Sequence, residues 1–413
     1  MTYNTCVFAD GLRLVHLVSA SPVVYCGYAV AAGTRNERPG DEGLAHFCEH
    51  MTFKGTQRRR AWHVLNCLES VGGDLNAYTT KETTVYHAAV LNTDIARAVD
   101  LLDDIVFHST YPQAEIEKEV EVICDEIESY NDSPSELIYD IFENAVFAGH
   151  PLGHNILGDG ERLRRYTTAD ALRFTREFYT PQRSVFFAYG DVDFRRLCRL
   201  LGKMHGVCSP LPAGVKPGFA AATTEALPQY VPQQIGRRMD THLAHVMVGC
   251  RAYGIHDERR MALYLLNNML GGPGMNARLN LSLRERNALV YTVDSSMVSY
   301  SDTGTWAVYF GCDPKNVSRC LRLVRRELDR VAEKPITETQ LRAAKKQIRG
   351  QIGVACDSRE SFALDLAKGF LHYGWLKDVS SLCDKVDALT AADLLGVARE
   401  VFNPERLTVL TIR

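Results

Sequence analysis

EIEKEVEVICDEIESYNDSPSE, residues 115–136, returns in weakened form 225 positions later as QLRAAKKQIRGQIGVACDSRES, residues 340–361. In this alignment, made without gaps, Asp132 falls on Asp357, Ser133 on Ser358, Ile123 on Ile348 and Ile127 on Ile352. Such spaced matches in corresponding places are what a duplicated unit leaves behind. FYTPQRSVFFAYGDV near the end of the first half is likewise mirrored by VFNPERLTVLTIR at the end of the second. Before the helical stretches stand runs rich in Val, Tyr and Thr, such as VVYCGYAV and TTVYHAAVL, which read as strands. RLVHLVSA and VVYCGYAV, separated by a turn at SP, read as a hairpin. The expected fold class is therefore α+β, with two homologous α/β domains, each a mainly antiparallel sheet covered by helices.

Length supports the same division, because 413 residues exceed what one hydrophobic core usually serves. Residues 206–236 contain five prolines and little periodicity, which predicts a linker between domains at 1–205 and 237–413. A 46% apolar and 23% charged composition is that of an ordinary globular protein. With a net charge of -3 there is no basic field, so nucleic acid is not an expected partner. No apolar run reaches membrane-spanning length and the first residues do not read as an export signal, so the cytoplasm is the expected compartment. The 12 cysteines are scattered, with no CxxC pair, and read as reduced, mostly buried small hydrophobes. Metal binding through sulfur is not expected from this spacing.

The chemistry concentrates in GLAHFCEHMTFKGT, residues 43–56. At about 100° per residue, His46 and His50 lie about 40° apart on a helix, with Glu49 beside them. Two neutral imidazoles suit Zn²⁺, and a third ligand plus a water would complete a catalytic tetrahedral site. A carboxylate next to such a site can take the proton of the attacking water. The order HxxEH reverses the more familiar HExxH while keeping the roles. Glu119 and Glu126 lie two turns apart on one face of a helix-forming stretch, and Glu126 follows His50 by 76 positions. By spacing alone that face is either a ligand source or an ordinary solvated acidic helix. The second copy lacks these groups: His46, Glu49 and His50 fall on Tyr264, Asn267 and Asn268 at an offset of 218, and Glu126 falls on Gln351.

GLAHFCEHMTFKGT, GGDLNAYTTKETTVYHA, EVEVICDEIESYNDSP, HPLGHNILG and LRERNALVYTV together resemble the pitrilysin or insulinase family of zinc metallopeptidases. Its shorter members and the mitochondrial processing peptidase subunits are the most similar in plan. The resemblance spans essentially the whole chain and implies a zinc-dependent endopeptidase, with one Zn²⁺ per chain, acting on peptides or unfolded segments inside a closed chamber. It implies Glu126 as third metal ligand beside His46 and His50, Glu49 as general base, and Glu119 as the partner that orients a ligand. Asn76 and Ala77 in LNAYT match the edge strand that binds extended peptides. Arg284 and Tyr291 match the pair that binds the substrate carbonyl, chemically suitable donors to an oxyanion. GGPGMNARL before them matches the family's Gly-rich segment.

The longer family members place a zinc domain and an Arg/Tyr domain face to face across a chamber, using four domains. With two domains here, the resemblance implies a homodimer whose active site is shared between chains. Two alternatives are a non-catalytic scaffold subunit and a catalytic subunit that needs a different partner chain. The intact HxxEH set with Glu126 argues against the first, and Arg284 with Tyr291 argues against the second. His63, His87, His150 and His154 read as structural, and His242 with His245 as an unpaired strand couple. Cys48 points away from the His46–His50 face.

Overall fold

The structure, a computed structural model, describes residues 2–211, 226–374, 376 and 378–413. Residues 212–225 of the expected 206–236 linker lie outside the described residues.

The strands are β1 (Tyr3–Phe8), β2 (Arg13–Val18), β3 (Val23–Val30), β4 (Asp74–Thr79), β5 (Thr84–Leu91), β6 (Ser184–Gly190), β7 (Cys208–Ser209), β8 (Gln234–Arg237), β9 (Ala244–Ala252), β10 (Val290–Ser299), β11 (Gly304–Cys312) and β12 (Thr408–Ile412). The helices of the first half are α1 (Leu44–Thr52), α2 (Ala61–Glu69), α3 (Ile95–His108), α4 (Gln113–Asn131), α5 (Pro134–Val146), α6 (Gly160–Leu163), α7 (Thr168–Phe178) and α8 (Phe194–His205). Those of the second are α9 (Arg260–Gly271), α10 (Val317–Glu333), α11 (Glu338–Ala355), α12 (Arg359–Tyr373), α13 (Val379–Ala388) and α14 (Ala391–Val401).

The two sheets share one strand order. The first runs β4-β5-β3-β6-β2-β1-β7 and the second β10-β11-β9-β12-β8. Replacing β2 to β6 by β8 to β12 maps five strands of the first sheet onto the second, and β1 and β7 extend the first beyond β2. Pairing is antiparallel except between β2 and β6 and between β8 and β12, which are parallel and occupy equivalent places. The mainly antiparallel, duplicated α/β plan is thus present twice. β2 and β3 do not form the expected hairpin, because β6 inserts between them. Alternation in the sequence identifies a strand but not its neighbour.

The two compact units are not contiguous in sequence, which differs from a simple division at 205 and 237. The chain leaves the first unit after Glu128 and returns at His154; it leaves the second after Val354 and returns at Val379. Glu128 and Val354 are 226 positions apart, and Gly153 and Asp378 are 225 apart, so the crossings themselves follow the repeat. As a result α5, encoded in the first half, belongs to the second unit, and α12, encoded in the second half, belongs to the first.

Each exchanged helix fills a sheet face. In the first unit Val24, Cys26, Tyr28 and Val30 of β3 enter the core with Phe47 of α1 and Leu102 of α3. The alternate residues face the other side, where Phe362 of α12 packs on Tyr189 and Arg359 lies over the rings of Tyr25 and Tyr189. In the second unit Ile138, Phe142 and Val146 of α5 pack with Met247, Tyr309 and Leu410. Contiguous helix periodicity predicts the two amphipathic helices but cannot say which sheet each one covers. The expected linker also has structured ends: Cys208 and Ser209 pair with β1, and β8 starts at Gln234.

Candidate metal centre

Helix α1 carries the cluster and its start is built with care. Gly43 caps it in the left-handed region at φ 92°, and a Cβ there would stand 2.7 Å from the Cα of Gly158. Glu37 Oε1 accepts the backbone N–H groups of Gly43 and Ala45, satisfying donors the first helical turn leaves open. One turn on, His46 and His50 stack edge to face with ring centroids 4.6 Å apart. Both are reached from α4, where Glu126 Oε2 lies 3.9 Å from His46 Nε2 and 3.5 Å from His50 Nε2. One ligand atom from each of the three residues falls within 4.8 Å of the others.

These distances are too long for good hydrogen bonds. They resemble the roughly 3.4 Å between two ligand atoms that each stand ~2.1 Å from a tetrahedral zinc ion. The donor set, two imidazole nitrogens and a carboxylate oxygen, is one that zinc takes in catalytic sites. Burial, reinforced by the neighbouring His50, pushes the His46 pKa down to about 3, so this ring is neutral as a ligand must be. His46 and Glu49 are only 7% and 8% exposed. The residues present therefore fit a zinc ion.

Glu119, seven positions before Glu126, accepts from His50: its Oε1 is 3.1 Å from Nδ1. Lys54 Nζ holds the other oxygen at 2.5 Å. Burial alone would lower the His50 pKa, but this hydrogen bond and the charges of Glu49 and Glu126 raise it. With Nδ1 donating to Glu119, Nε2 is the nitrogen that faces Glu126. Glu49 points into the same space, and Thr79 Oγ1 donates to its Oε2. Burial raises the Glu49 pKa, while the Thr79 hydrogen bond and His50 hold it back.

Thr79 ends β4, the edge strand of its sheet, and was not among the expected site residues. A signal was present, since Thr79 lies two positions after Ala77 and so shares its face. Lys54 was missed as well. Asn76 and Ala77 sit on β4 opposite His87 and Tyr86 of β5, and the outer edge of β4 pairs with no strand among the described residues. Asn76 is exposed and Ala77 half-buried.

Arg284 and Tyr291 belong to the second unit, whereas the histidine and glutamate cluster lies wholly in the first. Arg284 is exposed in a π-helical turn, Asn280–Glu285, and Tyr291 is 77% exposed on the edge strand β10. The second unit repeats the scaffold without the ligands: Asn267, at the position of Glu49, instead accepts a hydrogen bond from Trp306 Nε1 at 3.0 Å. Cys48 points into the core towards the carbonyl of Ala171. His63 is exposed, His87 faces Glu360 at 3.8 Å, His150 Nδ1 accepts from Leu152, and His154 gives its carbonyl to Lys81. His245 bonds to Tyr309 within β9 and β11, and His242 precedes the strand. None of these joins a metal-ligating cluster among the described residues.

Residues 15–160 match the pattern of the insulinase family (peptidase family M16), and residues 165–348 match that of the peptidase M16 inactive domain. An uncharacterized zinc protease of Streptomyces coelicolor is 32% identical over 408 residues, covering 97% of this chain and 88% of that protein. The beta subunit of the mitochondrial-processing peptidase of Bos taurus is 30% identical, over 94% of this chain and 80% of that one. Among solved structures, a protease from Helicobacter pylori superposes with a TM-score of 0.88 at 20% identity, over 100% of this chain and 99% of that chain. A peptidase M16 inactive domain from Pseudomonas fluorescens superposes with a TM-score of 0.89 at 18% identity, over 100% and 98%. With both halves matched and relatives of this identity along nearly its full length, the chain belongs to the insulinase family, peptidase family M16.

Proposed function

We propose that this protein is a zinc-dependent endopeptidase that hydrolyses peptides or unfolded polypeptide segments. The observation that carries the reading is the convergence of His46, His50 and Glu126 beside the buried carboxylate of Glu49. The names of its relatives as zinc proteases agree with it. One Zn²⁺ per chain, held by these three side chains, would supply a Lewis acid that polarises a carbonyl and acidifies a water. Glu49 takes the proton of the attacking water on its carboxylate and passes it to the leaving amine. Thr79 orients that carboxylate through Oε2. The open edge of β4 hydrogen-bonds an extended peptide through its main chain, with Asn76 and Ala77 next to the scissile bond, so recognition tolerates varied sequence.

Arg284 and Tyr291 donate to the carbonyl oxygen in this reading, supplied by the second chain of a homodimer that encloses the substrate. Their exposure supports it, as both side chains are available to an approaching group. The cytoplasm suits a protein whose twelve cysteines are all unpaired, and no helix among the described residues is long and apolar enough to cross a membrane. The deciding experiment pairs two variants. Glu49→Gln retains zinc and loses peptide hydrolysis, and His50→Ala loses both. A Glu49→Gln protein that cleaves at the wild-type rate would remove Glu49 as the base.

A further inference from the structure

Away from the glutamate and histidine cluster, three cysteines meet. Cys6 lies on β1, Cys198 on the second turn of α8 and Cys208 on β7. The pairing of β1 with β7 sets Phe8 opposite Cys208, so Cys208 and Cys6 share the sheet face that α8 covers. The three sulfurs all lie within 4.8 Å of one another, and Cys6 Sγ is 3.8 Å from Cys198 Sγ. Cys6 is buried, while Cys198 and Cys208 are half-buried, which leaves a path from solvent.

The spacing bears on the chemistry. A disulfide needs sulfurs ~2.05 Å apart. Two thiolates that each stand ~2.3 Å from one metal ion are about 3.8 Å apart at the tetrahedral angle and about 4.0 Å apart in a trigonal plane. The 3.8 Å between Cys6 and Cys198 is far from the disulfide length and matches two thiolates on one ion at the tetrahedral angle. A third sulfur has no place in a disulfide, yet it completes a coordination set. Cys312 and Cys320 of the second unit also touch, but only as a pair.

We propose that Cys6, Cys198 and Cys208 form a second metal site, distinct from the His46–His50–Glu126 centre, that takes a thiophilic closed-shell cation of the Zn²⁺ or Cu⁺ class. Three sulfurs with no nitrogen or oxygen ligand among the described residues select a soft ion. Binding exchanges three S–H bonds for three S–metal bonds; the protons go to solvent and no electron is transferred. The site ties β1 and β7 to α8, so a bound ion would clamp the far edge of the first sheet.

Cadmium is the probe, because sulfur-to-cadmium charge transfer absorbs in the ultraviolet and a site of imidazole and carboxylate has no such band. The full-length protein is stripped of metal, kept with a non-thiol reductant and titrated with Cd²⁺. One equivalent is expected to develop the band in the wild type and equally in His46→Ala. Cys198→Ser and Cys208→Ser, both at half-buried positions that tolerate a hydroxyl, are expected to lose it, whereas Cys312→Ser keeps it. No band, a band that appears only at large molar excess, or a band unchanged in both Cys198→Ser and Cys208→Ser overturns the proposal.

Discussion

Replacing Glu119 separates metal support from mere charge pairing. The side chain is 12% exposed, with one oxygen 3.1 Å from His50 Nδ1 and the other 2.5 Å from Lys54 Nζ. It fixes which nitrogen of His50 carries the proton, and as a carboxylate it makes the imidazole a stronger donor. Loss of such a partner usually weakens metal binding 10- to 100-fold, about 1.4 to 2.7 kcal/mol. Gln keeps an acceptor oxygen and removes the charge, so Glu119→Gln belongs near the ~10-fold end. Ala removes both, and because His46 Nδ1 is buried with no hydrogen-bond partner among the described residues, no second imidazole shares the support. Glu119→Ala is therefore expected near the ~100-fold end. Competition for zinc against a chromophoric chelator measures both. Lys54→Met is the control, since it leaves the His50 hydrogen bond in place and should cost little. A Glu119→Ala affinity equal to wild type, or an equal loss in Lys54→Met, would refute this account.

Three further outcomes are expected. Mixing inactive Glu49→Gln with inactive Tyr291→Phe should restore up to about half the wild-type rate per mixed dimer, because one of its two sites then carries neither defect; no recovery after subunit exchange confirmed by mass spectrometry would sink the shared site. Asp104 is fully buried and accepts from Thr56, Arg58 and Arg59; Asp104→Ala should cost about 3–5 kcal/mol in denaturant unfolding, and Arg58→Ala, half-exposed, less than about 1 kcal/mol. His205 is held between Asp103 and Asp10 at 2.7 and 2.6 Å. Burial would lower its pKa, but the two hydrogen bonds raise it, so its stabilisation is complete below the unfolded value of ~6.5 and lost as pH rises through the folded one. The melting-temperature deficit of His205→Gln should accordingly be largest in mild acid and shrink in alkali; a deficit that grows with pH would contradict the assignment.

The metal residues were legible unequally. His46, Glu49 and His50 share one helical turn, so the 3.6-residue period by itself predicts their convergence. Glu126 lies on a different helix, and only resemblance to a family separated it from the other carboxylates of α4. Thr79 could have been read from alternation along LNAYT, since it shares the face of Ala77. The three-cysteine cluster could not, because its members are 192 and 10 positions apart and meet only through sheet order. Sheet order also defeated the hairpin expectation for β2 and β3. The repeat was visible in matched residues around 132 and 357, yet which sheet the following helix covers depends on long-range packing that periodicity does not encode.

The exchange of α5 and α12 has a consequence for synthesis on the ribosome. The strands of the first sheet up to β6 are complete once Gly190 has been made, but the helix that covers Tyr25 and Tyr189 ends at Tyr373, 183 residues later. At about 5–20 residues per second, that face waits roughly ten to forty seconds for its cover. During that interval the nascent first unit presents an aromatic sheet surface. A chain released early would keep it exposed, so this protein matures as a whole and not one half at a time.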